Sequence, residues 1–369
     1  MRKSEMKDNL HKINSPQSLN SYIKSICDIM RRSGRAGALQ YVPELTWMLF
    51  LRILDEQEEK REQEEKAVGK KFRPLLEYPY RWRDWASPEG KKRKELQDST
   101  FGAFMSFVNE ELIPYLKKLK EKPGATSGQK VLSEVFSYIE KTGIDTERNL
   151  LEILDKIHML RSEQVDHTHM FTLSQVYETL LLKMGEKNND GGQFFTPREV
   201  IRVMVQTIKP QVGETVYDPC CGTGGFLAQA YQFMKPQAKT GSDIEMLKTG
   251  TFYGREKEDL VYPIALANLI LHEIDEPHIW HGNTLTGQEK YGGLFEDAPA
   301  LFDVILTNPP FGGKEGKEAQ TNFAYKTGAT QVLFLQHVID RLKEGGRCGI
   351  VIDEGVLFRT KKGICFNKA

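Results

Sequence analysis

TVYDPCCGTGGFLAQAYQFM, residues 215–234, holds a strand, a turn and a helix in succession. TVYD (215–218) is short and apolar, as a buried strand is. DPCCGTGGF (218–226) is a glycine-rich turn, and FLAQAYQFM (226–234) keeps the spacing of a helix. The same grammar continues downstream. TFYG (251–254) precedes a helix, PIALANLILHEI (263–274). HIWHG (278–282) and FDVILT (302–307) read as further strands. TQVLFLQHVIDRLKE (330–344) reads as a helix stopped by Gly345–Gly346, with GIVID (349–353) as the next strand. Strands alternating with helices predict a parallel, doubly wound α/β sheet of Rossmann type, whose ligands bind beyond the carboxyl ends of the strands.

The 218–226 turn matches a dinucleotide fingerprint at Gly222 and Gly224, but the third position, 227, is Leu. Asp218 ends the strand, where it can accept a hydrogen bond from a ligand amine. Gly222 and Gly224 let the backbone approach a bulky ligand. Thr223, Gly225 and Phe226 complete the turn, and the helix behind it favours a carboxylate. An amine beside a carboxylate describes an amino-acid moiety, such as the methionine end of S-adenosyl-L-methionine. Two acids compete for a ribose. Asp243 has the usual spacing of about 20 residues but precedes the second strand. Glu256 follows TFYG and is preferred, with an insertion lengthening the gap. Asn283, after HIWHG, is placed for an adenine, and is equally a turn former. Upstream, GGQFFTPREV (191–200) starts a helix: Thr196, Pro197 and Glu199 form a capping box with proline at the first helical position.

LTNPPFGG (306–313) ends the FDVILT strand in an amide, two prolines and an aromatic ring. Such a corner suits the exocyclic amine of adenine, whose lone pair is delocalised into the ring. Asn308 offers a side-chain carbonyl and Pro309 a backbone carbonyl held still by its ring. Pro310 stiffens the exit, and the Phe311 ring can stack on a flipped base. The reaction needs only positioning, because a sulfonium methyl is already activated. The Cys220–Cys221 pair is read as small buried residues rather than nucleophiles.

Composition sets the frame. Of 369 residues, 39% are hydrophobic and 28% charged, as in a globular protein of about two domains. Neither a signal peptide nor an apolar run of membrane length is present, so a cytoplasmic location is expected. Five cysteines without a CxxC spacing disfavour disulfides and zinc. The net charge is zero, with 51 basic and 51 acidic residues. A protein gripping duplex DNA alone usually carries a basic excess, so either a local patch or a partner supplies the grip.

Residues 1–165 read as helical. ELTWMLFLRILDE (44–56) is apolar nearly all round and marks a helix buried on most sides. EQEEKREQEEK (56–66) suits a solvated helix or arm, and KPGATSG (122–128) a loop. Leu150, Ile153, Leu154 and Ile157 recur at helical spacing. YPYRWRDWA (78–86), before KKRK (91–94), is read as core capped by arginines, with base stacking as the other possibility.

GQFFTP, DPCCGTGGF and NPPF in this order resemble the N6-adenine DNA methyltransferases that carry the cofactor motif before the catalytic one. The helical half, with SYIKSICDIMRRSGRAGALQYVPELTWMLFLRILDE (21–56) and YRWRDWA, is similar to the modification subunit of type I restriction–modification systems. The resemblance spans roughly residues 15–359. It implies that Asn308, Pro309, Pro310 and Phe311 bind the target adenine. It implies that Gln193, Phe194, Phe195, Thr196, Pro197, Asp218, Gly222, Thr223, Gly224, Gly225, Phe226, Glu256 and Asn283 surround S-adenosyl-L-methionine, with no metal. It also implies double-stranded DNA as substrate, a specificity subunit, a restriction subunit and two copies of this chain in a complex without a membrane. A helical domain (1–165) for DNA or partner contacts then precedes a methyltransferase domain (166–369). The family continues past GVLF (355–358), whereas here RTKKGICFNKA ends the chain, which predicts a C-terminally incomplete sheet. A stand-alone adenine methyltransferase, a protein glutamine N5-methyltransferase with NPPF in place of the usual NPPY, and an inactive truncated scaffold are the alternatives.

Overall fold

The computed structural model describes residues 16–34, 38–69, 71–160, 196–287 and 298–358. Two compact units divide the chain, Met1–Gly191 and Gly192–Ala369. The expected domain boundary near 165 falls in 161–195, outside the described residues.

The first unit is helical. Its main elements are α1 (Pro16–Arg32), α2 (Ala38–Ala67), α3 (Ser127–Ser137) and α4 (Glu147–His158). Helix α2 buries Leu45, Trp47, Met48, Leu49, Phe50 and Leu51, as its all-round apolarity predicts. The charged stretch after Glu58 continues the same helix into solvent. In α4 the face formed by Leu150, Ile153, Leu154 and Ile157 is completely buried. Thr126 caps α3 with a capping box through Gln129, so the expected loop gives way to helix at Ser127.

YPYRWRDWA is core. Trp82 and Trp85 are buried, and Trp85 stacks on Trp47 at 6.5 Å. Arg83 donates to Asp55 Oδ1 at 2.8 Å and to Glu62 Oε2 at 3.2 Å, while Arg81 pairs with Asp84. These indoles and guanidinium groups are engaged within the fold, while Tyr78 is exposed.

The second unit carries five strands: β1 (Val216–Asp218), β2 (Phe252–Glu256), β3 (His278–His281), β4 (Phe302–Thr307) and β5 (Leu342–Ile350). All pair in parallel, in the order β3-β2-β1-β4-β5. Helices α5 (Arg198–Ile208), α6 (Gly225–Met234), α7 (Gly241–Thr249), α8 (Tyr262–Leu271) and α9 (Thr330–Arg341) accompany them. Consecutive strand residues face opposite sides. Phe252 meets Tyr231 of α6 at 6.0 Å, whereas Tyr253 clusters with Tyr217, Trp280, Phe302 and Val338 of α9. Both faces are therefore covered by helix, and the doubly wound expectation holds. From β1 the chain builds outward to β3, then crosses back to β4. The reversal lies between β1 and β4, where a crevice opens beyond the strand ends.

One expected element differs. Helix α9 ends at Arg341 rather than residue 344, and Gly345–Gly346 lie inside β5. Phe302 pairs with Leu342 and Val304 with Arg347, so β5 carries extra residues opposite β4. Gly345, at φ 74°, takes up this excess as a bulge. Pairing of Leu342 with β4 and the ion pair of Lys343 to Asp303 at 2.8 Å outweigh the helical periodicity of RLKE. No described helix is long and apolar enough to cross a membrane.

Candidate functional site

Three strand ends meet at the β1–β4 reversal. Asp218 closes β1, Glu256 closes β2, and Asn308 follows β4. The glycine turn is hung on β2: Cys221 N donates to Arg255 O at 3.0 Å, and Gly222 N to Glu256 Oε2 at 2.9 Å. Gly222 (φ 54°) and Gly224 (φ 78°) hold left-handed conformations that only glycine adopts cheaply. Gly224 then starts α6, where Thr223 and Phe226 are buried. Thr223 O accepts from Asn268 Nδ2 of α8 at 2.8 Å, anchoring the turn from behind.

Glu256 is 7% exposed, and its other oxygen accepts from Glu258 N at 2.7 Å. Burial pushes its carboxyl up to about 7 against the pull of these amides. Each oxygen keeps lone-pair capacity for a further donor. Asp243 sits elsewhere, in the capping box of α7 with Thr240, where its carboxylate accepts from Lys239 N and Thr240 N. Helix α7 is the insertion that lengthens the gap between turn and acid. Asn283 lines the same cavity as Glu256, while its Oδ1 accepts from Leu285 N at 2.9 Å in an Asx turn.

Asp218 faces a different way from the expectation. It is 1% exposed, and Oδ1 accepts from Thr307 Oγ1 at 2.7 Å and from Cys220 N at 3.1 Å. The carboxylate braces β1 to β4 inside the protein instead of fronting the cavity, because Thr307 on the neighbouring strand offers it a donor at close range. Burial raises its pKa to about 7, partly opposed by those two bonds. Sequence reading missed Thr307; a hydroxyl closing an otherwise apolar strand was the available signal. Cys220 Sγ lies 3.0 Å from the same hydroxyl. Burial holds both vicinal thiols well above their ordinary range, so they stay protonated and are poor nucleophiles.

At the corner, Pro309 is buried, Pro310 half-buried and Phe311 48% exposed. Asn308 Nδ2 donates to Thr196 Oγ1 at 3.0 Å, while Asn308 Oδ1 is buried without a partner. The expected capping box at Thr196 is not formed. Helix α5 starts one residue later with Pro197 as N-cap and no side-chain bond, because the Thr196 hydroxyl is taken by Asn308. Gln193, Phe194 and Phe195 lie outside the described residues.

A cavity of about 210 Å³ joins these parts. Pro219 and Cys220 of the turn, Glu256, Asn283, and Asn308, Pro310 and Gly312 of the corner all line it. Phe334 of α9 and Thr330 close it, two positions without a motif in the sequence. The glycine turn and the proline corner thus open onto one space. Among the described residues no cluster of His, Cys, Asp and Glu could hold a metal ion.

Comparison with known proteins shows the family. The profile of the N-6 DNA Methylase family matches residues 168–368, more than half of the chain. The chain belongs to this family. The profile of the HsdM N-terminal domain matches residues 19–157 of the helical half. The resemblance to type I modification subunits drawn from the motifs is borne out by relatives. The methylase subunit of the type I restriction enzyme EcoEI from Escherichia coli is 35% identical over 92% of this chain and 66% of its own length. The StySPI methylase subunit from Salmonella potsdam is 30% identical over 92% and 58%. A crystallised modification subunit assigned to a type I restriction enzyme from Vibrio vulnificus YJ016 superposes with a TM-score of 0.79 at 36% identity. It covers 94% of this chain and 73% of that one. The chain therefore spans about two thirds or less of the curated relatives' length.

Proposed function

We propose that this member of the N-6 DNA Methylase family transfers the methyl group of S-adenosyl-L-methionine to N6 of adenine in DNA, as the modification subunit of a type I complex. One observation carries the reading. A buried, unpartnered amide oxygen on Asn308 shares a cavity with a glycine turn and an acid at the end of the second strand. An acceptor without a donor is costly inside a protein, and an exocyclic amine supplies the missing N–H.

The residues present fit the cofactor. Glu256 lines the cavity with spare acceptor capacity for ribose hydroxyls, and Pro219 and Cys220 bring the glycine turn to the same space. Asn283 borders the place of an adenine ring. When bound, S-adenosyl-L-methionine supplies a methyl that needs no further activation. Asn308 and Pro309 then orient the amine through their carbonyls, and the half-exposed Phe311 ring receives the flipped base. Asp218 shapes the turn from within. The helical unit contacts DNA or partner subunits. Base-sequence reading falls to a specificity subunit and cleavage to a restriction subunit, with two copies of this chain per complex in the cytoplasm.

The test combines this chain with a specificity subunit, its target duplex and methyl-labelled cofactor. Label should appear on adenine N6 and disappear with Asn308→Ala. Transfer that survives Asn308→Ala, or label found on protein glutamine instead, would overturn the proposal.

A further inference from the structure

We infer that Thr196 is a positioning residue for the amide of Asn308. The inference rests on the function proposed above and adds a residue to its machinery. Thr196 and Asn308 are 112 positions apart, and nothing in either local sequence pairs them. The fold brings the start of α5 against the end of β4, and the Thr196 hydroxyl receives Asn308 Nδ2 at 3.0 Å. A threonine just ahead of a helix ordinarily spends its oxygen on the free amides of the first turn. Here it does not: the N-cap of α5 is Pro197, with no side-chain cap bond. The hydroxyl serves the amide instead.

The consequence follows from the chemistry of a carboxamide. Its two ends are nearly equal in size and opposite in hydrogen-bonding sense. Tethering the NH₂ end leaves the carbonyl end for the cavity, and Asn308 Oδ1 is the buried acceptor that has no partner. Asn308 borders the cavity, whereas Thr196 is not among the residues lining it. Without the tether, the amide can turn its own N–H groups toward the target amine. Two sets of donors would then face each other, and the amine would lose the acceptor that orients it. Thr196 thus acts on the step that follows binding, through Asn308.

The experiment uses the assembled complex with its target duplex, and compares Thr196→Val with Thr196→Ser. Valine keeps the shape and removes the hydroxyl; serine keeps the hydroxyl. The loss of one oriented hydrogen bond predicts that Thr196→Val lowers kcat at saturating cofactor about 10-fold. Thr196→Ser should restore kcat to within about 2-fold of the parent. A second arm needs no turnover. In protein labelled with ¹⁵N-asparagine, the side-chain amide signals of Asn308, assigned by their loss in Asn308→Ala, should shift in Thr196→Val and stay in place in Thr196→Ser. An unchanged kcat at saturating cofactor in Thr196→Val would overturn the inference. So would Asn308 signals indifferent to Thr196→Val. A parent complex that transfers no methyl sinks the proposed function instead, and the amide signals still decide whether Thr196 holds Asn308.

Discussion

Replacing Thr307 by valine tests the buried brace between β1 and β4. The change is nearly isosteric at a completely buried position, so packing is preserved and the hydroxyl alone is lost. That hydroxyl donates to Asp218 Oδ1 at 2.7 Å and holds the Asp218 pKa down against burial, which still raises it to about 7. A hydrogen bond to an ionised group is worth about 1.5–3 kcal/mol, and one to a neutral group about 1 kcal/mol. Asp218 titrates near 7 when folded and near its ordinary acidic value when unfolded. Its ionisation therefore costs stability progressively as pH rises from about 4 through 7. Removing the hydroxyl pushes the folded value higher, so the variant goes on losing stability above pH 7, by about 1.4 kcal/mol per unit of pKa. Thr307→Val should be destabilised by about 1 kcal/mol near pH 5.5 and by about 2–3 kcal/mol near pH 8.5. Urea titrations followed by circular dichroism, variant against parent at each pH, give the difference directly. Thr307→Ser keeps the donor and drops a methyl, so its cost of about 1 kcal/mol should be the same at both pH values. An equal loss for valine at the two pH values, or a larger one in acid, would refute the brace.

Three further outcomes are expected. Since Glu256 titrates near 7 in the free protein and accepts ribose hydroxyls more strongly as the carboxylate, cofactor affinity should fall as pH drops below 7, by up to about tenfold per unit. Calorimetry in two buffers should show the matching proton release, and Glu256→Gln should abolish both. Gly224→Ala forces a left-handed alanine with its Cβ 3.1 Å from Leu269 Cγ; about 2 kcal/mol of stability should be lost. Gly225→Ala, at a helical φ with only the flexible Ile201 Cδ1 at 3.1 Å, should cost far less in the same denaturation assay. Phe311→Ala removes a half-exposed ring, so the unfolding midpoint should hold while affinity of the complex for target duplex falls by about 1–3 kcal/mol in a filter-binding titration.

The motifs were legible because each encodes its chemistry within a few residues. A glycine that must take positive φ, a proline that cannot join a ladder and an apolar run ending in an acid announce themselves locally. The positive φ of Gly222 and Gly224 was therefore legible from sequence, and Glu256, Asn308 and Pro310 were singled out there and line one cavity. Helix ends were less legible. RLKE carries helical periodicity, yet Leu342 pairs with Phe302, and the partner strand is 40 residues away in the chain.

What the sequence settled by itself was the order of elements, the doubly wound class and the residue types at the strand ends, since these follow from short-range periodicity and backbone sterics. The directions of the side chains were decided only in three dimensions. Asp218 turns inward because Thr307, 89 residues on, offers it a hydroxyl; Thr196 abandons its helix cap because Asn308 lies within reach. Both choices depend on a polar group finding its partner across a strand order that no local window of sequence contains, and the unpartnered oxygen that the second leaves on Asn308 is a property of the assembled fold.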